Sequence, residues 1–165
     1  MIPDPLHPAV VHLPIALAVL IPALAILAIP LIRRGVVPAR TWAAVVLLQA
    51  ALVGSGWVAL ETGEAQEERV EQVVAERHIE THEEAAERFL VVATLALVMM
   101  AAGLLPGRPG TAGRVVGTLA TFAVLAAGVS VGHSGGELVY KHGAAAAYAS
   151  APGATSVGQL AHDDD

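Results

Sequence analysis

Cysteine is absent from this chain of 165 residues. The absence excludes disulfide bonds, thiolate metal sites, iron–sulfur clusters and haem attached covalently through a CxxCH motif. Any metal or haem must therefore be bound by His, Met, Glu or Asp side chains.

Charged residues are scarce as well. They make up 15% of the sequence, whereas 55% of the residues are hydrophobic and the mean hydropathy is +0.64. A water-soluble domain of this size does not usually tolerate so apolar a composition, so we expect an integral membrane protein. The formal net charge of -6 gives no ground for nucleic-acid binding, because a phosphate backbone is bound by clustered Lys and Arg.

Four apolar segments are long enough to cross a bilayer, for which a helix needs about 20 residues. The predicted membrane helices cover about residues 9–32, 42–61, 79–105 and 114–134. They predict an all-α fold, an integral membrane four-helix bundle that occupies residues 1–143. The first apolar run follows no basic segment and no small-residue cleavage site stands out after it, so we interpret it as a retained helix.

Two segments outside the apolar runs have a different composition. Residues 64–80 contain many Glu residues and other helix formers, which predicts an acidic surface helix on the outer side. Residues 144–165 are rich in Ala and Gly and show no periodicity, so we expect a flexible outer tail.

The placement of charge predicts the orientation of the helices. The loops at 33–41 and 106–114 contain arginines and no carboxylate, so both are expected to be cytoplasmic under the positive-inside rule. All 15 acidic residues fall on the opposite side of the predicted membrane. Both termini and the acidic loop are therefore expected to face outward, to the periplasm or its equivalent.

Six of the seven histidines fall at the predicted outer ends of three helices. They are His7 and His12 before the first helix, His78 and His82 before the third, and His133 and His142 at and beyond the end of the fourth. Ionisable groups at membrane depth are costly and tend to mark function. The convergence predicts a ligand site at the outer face.

A small-residue ridge lies beside one of these histidines. Gly128, Gly132 and Gly136 recur at intervals of four next to His133. Such a ridge lets a neighbouring helix or a flat ligand approach the backbone closely. Gly132 and Gly136 are therefore candidate contacts of a cofactor.

Two motifs resemble a known family. HPAVVHLPIAL at residues 7–17 and GGELVYKHG at 135–143 are similar to the bacterial membrane-protein family catalogued as domain of unknown function 2231. The resemblance covers nearly the whole chain apart from the tail; Leu13 stands where members usually have Phe, and the TG of LETGEA and His82 also fit. Some relatives carry c-type cytochrome modules, which implies a place in electron transfer at the bacterial inner membrane.

The leading hypothesis is a membrane-embedded b-type cytochrome-like protein. Haem b, one or two per chain, would be held near the outer face by imidazoles from facing helices. His12 and His82 are the first predicted ligand pair, and His133 competes for either role. The remaining candidates are His7, His78 and His142. The expected redox partner is a periplasmic c-type cytochrome, a larger respiratory complex or quinol.

Two other hypotheses stay open. One is a Zn, Cu or Fe site, for which His78, Glu61, Glu83 and Glu137 are the additional candidate ligands. The other is an accessory subunit that anchors a respiratory or cytochrome complex and binds no cofactor. The absence of an HExxH motif makes a hydrolase a weak hypothesis, so an electron-transfer or accessory subunit is favoured over a stand-alone enzyme. A homo-oligomer is compatible with each hypothesis.

Overall fold

The computed structural model describes residues 5–149, and in this range the regular structure is entirely helical. The four long helices are α2 (His12–Arg33), α3 (Trp42–Glu64), α5 (Glu76–Ala102) and α6 (Gly107–Tyr140). The short elements are α1 (His7–Val10), a 3-10 turn (Ala39–Thr41), α4 (Glu67–Glu71) and α7 (Ala146–Ala149). The predicted all-α four-helix bundle is confirmed.

Each long helix is apolar enough to cross a membrane. The candidate spans are His7–Arg33, Ala39–Glu64, Glu76–Ala102 and Gly107–Tyr140. Many large apolar side chains on these helices face outward, among them Leu20 at 53% exposure and Leu119 at 65%. Apolar surface of this extent is costly in water and is satisfied by lipid. The chain is a multi-pass membrane protein with four candidate spans.

The helix bounds differ from the expected ones mainly at the acidic segment and in α6. Residues 64–80, expected to form one surface helix, are divided between the end of α3, the short α4 and the first turn of α5. The last helix runs on through GHSGGELVY to Tyr140 because this segment still packs on α5. Within the predicted tail, Ala146–Ala149 form α7, and residues 150–165 lie outside the described residues, as does Asp4.

The long helices form a ring in which α2 and α5 each pack against α3 and α6. The starts of α2 and α5 therefore meet the ends of α3 and α6 at one end of the bundle. Contacts of Gly63 with His7 and of Gly135 with His82 mark this end, which we call the histidine end. The opposite end, the arginine end, holds the loops 34–41 and 103–106 with their neighbouring arginines.

The helices α5 and α6 approach each other closely near the arginine end. A Cβ atom on Gly113 would lie 2.5 Å from the backbone nitrogen of Gly103, and one on Gly117 would lie 2.7 Å from Cγ of Met100. Side chains at these two positions would force the backbones apart. The absence of a side chain thus lets α5 and α6 pack at short range.

Two buried polar side chains connect α3 to α5 inside the bundle. Trp42 Nε1 donates a hydrogen bond of 2.9 Å to the carbonyl of Met100, and Gln49 Nε2 donates one of 3.0 Å to the carbonyl of Ala93. Both side chains are fully buried. Polar contacts of this kind add to packing between helices in an apolar medium.

Candidate functional site

His7 and His82 meet at the histidine end. Their ring centres are 6.3 Å apart and their planes are nearly perpendicular, at 87°. His7 begins α1, directly before α2, and His82 lies in the second turn of α5, so the pair brings the start of the first span against the start of α5. Both side chains are half-buried, which leaves the pair accessible from the end of the bundle.

His7 is oriented by the last turns of α3. Its Nδ1 lies 2.8 Å from the carbonyl oxygen of Ala59, which can only accept, so Nδ1 is the protonated nitrogen. The hydroxyl of Thr62 lies 3.5 Å from the same nitrogen. A Cβ atom on Gly63 would lie 3.3 Å from the ring, so glycine at this position lets the imidazole rest against α3.

His82 is oriented by α6 in the same manner. Its Nδ1 lies 2.9 Å from Oγ of Ser134, and this hydroxyl donates its own proton to the carbonyl of Val131 over 3.0 Å. The serine oxygen is therefore left to accept from Nδ1 of His82. A Cβ atom on Gly135 would lie 3.0 Å from Cε1 of the ring, so the imidazole lies directly on the α6 backbone.

The two anchors assign the same tautomer to both rings. With Nδ1 protonated, Nε2 of His7 and of His82 is the unprotonated nitrogen, which is the arrangement usual for metal-bound histidine. Two metal–imidazole bonds of about 2.0–2.1 Å, together with about 1.1 Å from each ring centre to its nitrogen, separate the ring centres by about 6 Å. The observed 6.3 Å lies close to that sum, and it also lies within the ordinary range for edge-to-face ring pairs.

His78 and His142 form a second pair with a different geometry. Their rings are stacked, with centres 3.7 Å apart and planes inclined by 16°. Nitrogen lone pairs lie in the ring plane, and stacked faces at this separation leave no room for an ion between them. The pair therefore joins the start of α5 to the residues that follow α6, and it lacks the spacing of opposed ligands.

The other two described histidines lie apart from these pairs. His12 is exposed, and its Nδ1 is 3.3 Å from the carbonyl of Ala9 one turn earlier. His133 is 75% exposed, and its Nε2 is 3.6 Å from Oε1 of Glu137, which also binds Lys141. The structure thus brings His82 together with His7, and places His12 and His133 at the surface.

The candidate glycines and carboxylates are also placed apart. A Cβ atom added to Gly132 or Gly136 would meet no neighbouring atom within 4 Å. A Cβ atom on Gly128 would lie 3.4 Å from Cε2 of Phe89. Glu61 is exposed and Glu83 half-buried. Within residues 5–149, no three His, Asp or Glu side chains form a group that could hold a metal ion.

Several residues that build the site have no obvious signal in the sequence. The carbonyl of Ala59 and the hydroxyl of Ser134 orient the rings, and Gly63 and Gly135 make room for them. Ser134 directly follows a histidine in GHSGGEL, and a hydroxyl at a helix end is one sign that could point to it. The backbone acceptor on Ala59 carries no side-chain signature at all.

Neither a family model, nor a curated protein, nor a solved structure matches the chain. The chemistry of the site must therefore be inferred from its own residues. These are two imidazoles from different helices in an edge-to-face arrangement, each with Nδ1 held by an acceptor.

Proposed function

We propose that the protein is a membrane-embedded b-type cytochrome-like electron-transfer protein in which His7 and His82 are the axial ligands of one haem b. The observation that carries the proposal is the His7–His82 pair, with ring centres 6.3 Å apart on two different helices. Bis-imidazole ligation needs two opposed ligands, and each of these rings has its second nitrogen held by an acceptor.

The residues around the pair suit this group. His7 and His82 would bind the iron through Nε2, while Ala59 and Ser134 hold the rings in place and in the required tautomer. Haem b supplies reversible one-electron transfer when it is bound. Half-burial of both imidazoles favours exchange of electrons at the end of the bundle rather than through its core.

The spacing favours haem over the mixed His and carboxylate site. A bare Zn, Cu or Fe ion generally needs three or four protein ligands, whereas haem iron needs two from the protein because the porphyrin supplies the rest. The described residues offer one edge-to-face pair of imidazoles and no group of three at one point. One haem also fits better than two, because the stacked His78–His142 pair lacks the spacing of axial ligands.

The charge distribution supports an orientation and a class of redox partner. Among the described residues, carboxylates lie at the histidine end, where Glu64, Glu68, Glu80 and Glu87 are exposed, while the arginine end has none in its loops. The positive-inside rule then places the histidine end in the periplasm of a bacterial inner membrane. An acidic surface there would attract a basic carrier such as a c-type cytochrome.

The resemblance to the family of domain of unknown function 2231 belongs to the same proposal. Its first motif, HPAVVHLPIAL, begins with His7, which is one of the two proposed ligands, and its second motif ends next to His142.

The decisive experiment is the absorption spectrum of the purified full chain, air-oxidised and dithionite-reduced, with a metal assay on the same sample. Expression is carried out with a haem precursor in the medium. The expected result is a Soret band with sharp α and β bands on reduction and about one iron per chain. A colourless protein, with or without zinc, would contradict the proposal.

A further inference from the structure

A cavity of about 740 Å³ opens at the arginine end, opposite to the histidine pairs. It lies between the 3-10 turn before α3, the loop after α5 and the first two turns of α6. The lining residues that matter here are Arg40, Leu104, Leu105, Arg108, Thr111 and Arg114. Three guanidinium groups from two separate segments thus share one cavity.

Within residues 5–149, no carboxylate neutralises the positive charge in this cavity. The sequence has no Asp or Glu between residues 5 and 60 or between 88 and 136, so the lining contains no carboxylate. Arg114 Nε donates a hydrogen bond of 2.9 Å to the carbonyl of Gly103, which fixes the guanidinium and leaves its terminal nitrogens as donors. Arg40 and Arg108 are exposed.

The start of α6 adds to the same field. Pro106 at the N-cap and Pro109 have no backbone N–H, so in the first turn of this helix Gly107 and Arg108 supply the N–H groups without an intrahelical acceptor. Gly107, with φ of +69°, allows the sharp turn that sets this helix end beside the loop. A helix N-terminus favours an anion, and here it supplements the guanidinium groups.

Apolar surface lies directly beside the charge. Leu104 and Leu105 line the cavity and are 48% and 51% exposed. The cavity thus has guanidinium groups on one side and exposed leucines on the other, at the boundary of a membrane span. The guanidinium groups suit a phosphate head, and the leucines suit an acyl chain. Basic pockets between membrane helices bind the headgroups of anionic lipids in this way.

We infer that the cavity between Arg40, Arg108 and Arg114 is a binding site for the phosphate headgroup of an anionic phospholipid. The guanidinium groups bind the phosphate oxygens, and the first acyl carbons lie along Leu104 and Leu105. Because the cavity is at the opposite end of the bundle from His7 and His82, the inference does not depend on haem binding.

The test is lipid titration of the purified full chain in dodecyl maltoside, with bound lipid counted by native mass spectrometry. The probes are dioleoyl phosphatidylglycerol, dioleoyl phosphatidylcholine and inorganic phosphate. The expected result is one saturable phosphatidylglycerol site. The double variant Arg40→Gln/Arg108→Gln should weaken it by roughly tenfold or more, since two charged hydrogen-bond donors are lost. Both substituted side chains are exposed, so this variant keeps its fold.

The matched control is Arg33→Gln/Arg34→Gln, which removes the same charge from a different cavity at the arginine end. Its affinity for phosphatidylglycerol should stay within about twofold of the wild type, apart from weak long-range screening. An equal loss in the control would indicate general attraction and overturn the site. Equal affinity for phosphatidylcholine, unchanged affinity in the double variant, or equally tight binding of inorganic phosphate would also overturn it.

Discussion

The imidazole rings of His7 and His82 lie edge to face, with planes inclined by 87° and centres 6.3 Å apart, and each is hydrogen-bonded through Nδ1 to a different neighbouring helix. His7 depends on α3 for its orientation and His82 on α6. Both α3 and α6 thus position the pair, which makes it sensitive to changes that leave either histidine itself intact.

The first prediction concerns the ligands. His7→Ala and His82→Ala should each abolish the low-spin bis-imidazole haem spectrum, because one axial ligand is lost in either variant. The matched control is His12→Ala, which removes an exposed imidazole five residues from His7. Optical and electron paramagnetic resonance spectra of the three purified variants provide the measurement. Loss of the spectrum in the control, with retention in the His7 variant, would reassign the ligand to His12.

The second prediction concerns the partner of His82. Ser134→Ala removes the acceptor of Nδ1–H, and loss of such a partner typically weakens metal binding by about 10–100-fold. The variant should therefore lose haem faster to apomyoglobin than the wild type. Ser55→Ala is the control, because that hydroxyl bonds only to the carbonyl of Leu52 in its own helix. Equal transfer rates in all three proteins would show that Ser134 has no such role.

The third prediction concerns the packing of α5 against α6. Gly117→Ala should destabilise the bundle by about 1–3 kcal/mol, because the new methyl group would lie 2.7 Å from Cγ and 2.9 Å from Cα of Met100. Gly132→Ala enters open space on the same helix and should be neutral or slightly stabilising. Thermal unfolding in detergent, followed by circular dichroism, compares the two. Equal unfolding temperatures would contradict the close approach.

The fourth prediction concerns the proposed orientation. The chain has no native cysteine, so single cysteines can be introduced without a background. Glu68→Cys, on the exposed face of α4, should react with a membrane-impermeant maleimide added to spheroplasts. Val36→Cys, at 65% exposure in the first arginine-end loop, should react only after permeabilisation. The reverse labelling pattern would place the histidine end in the cytoplasm.

The architecture follows from local features of the chain. Helix length and hydropathy are properties of short segments. Apolar runs that contain residues such as Leu20 and Leu119 therefore predict a lipid-facing helix without any knowledge of its neighbours. The sequence also shows directly that both arginine loops contain no carboxylate. The end of the bundle that collects the histidines could therefore be predicted, because each helix has only two ends.

The pairing of the histidines depends on distances between helices. His7 and His12 are equally close to the start of the first span, and Gly117 and Gly132 are equally suited to a helix seam. Which imidazole reaches His82, and which glycine meets α5, is decided by the rotation of each helix about its axis. That rotation is determined by packing over the whole bundle, and a carbonyl acceptor such as that of Ala59 leaves no mark in the sequence. The four spans and the shared end of the histidines were thus determined by sequence alone, whereas the His7–His82 pair required the tertiary structure.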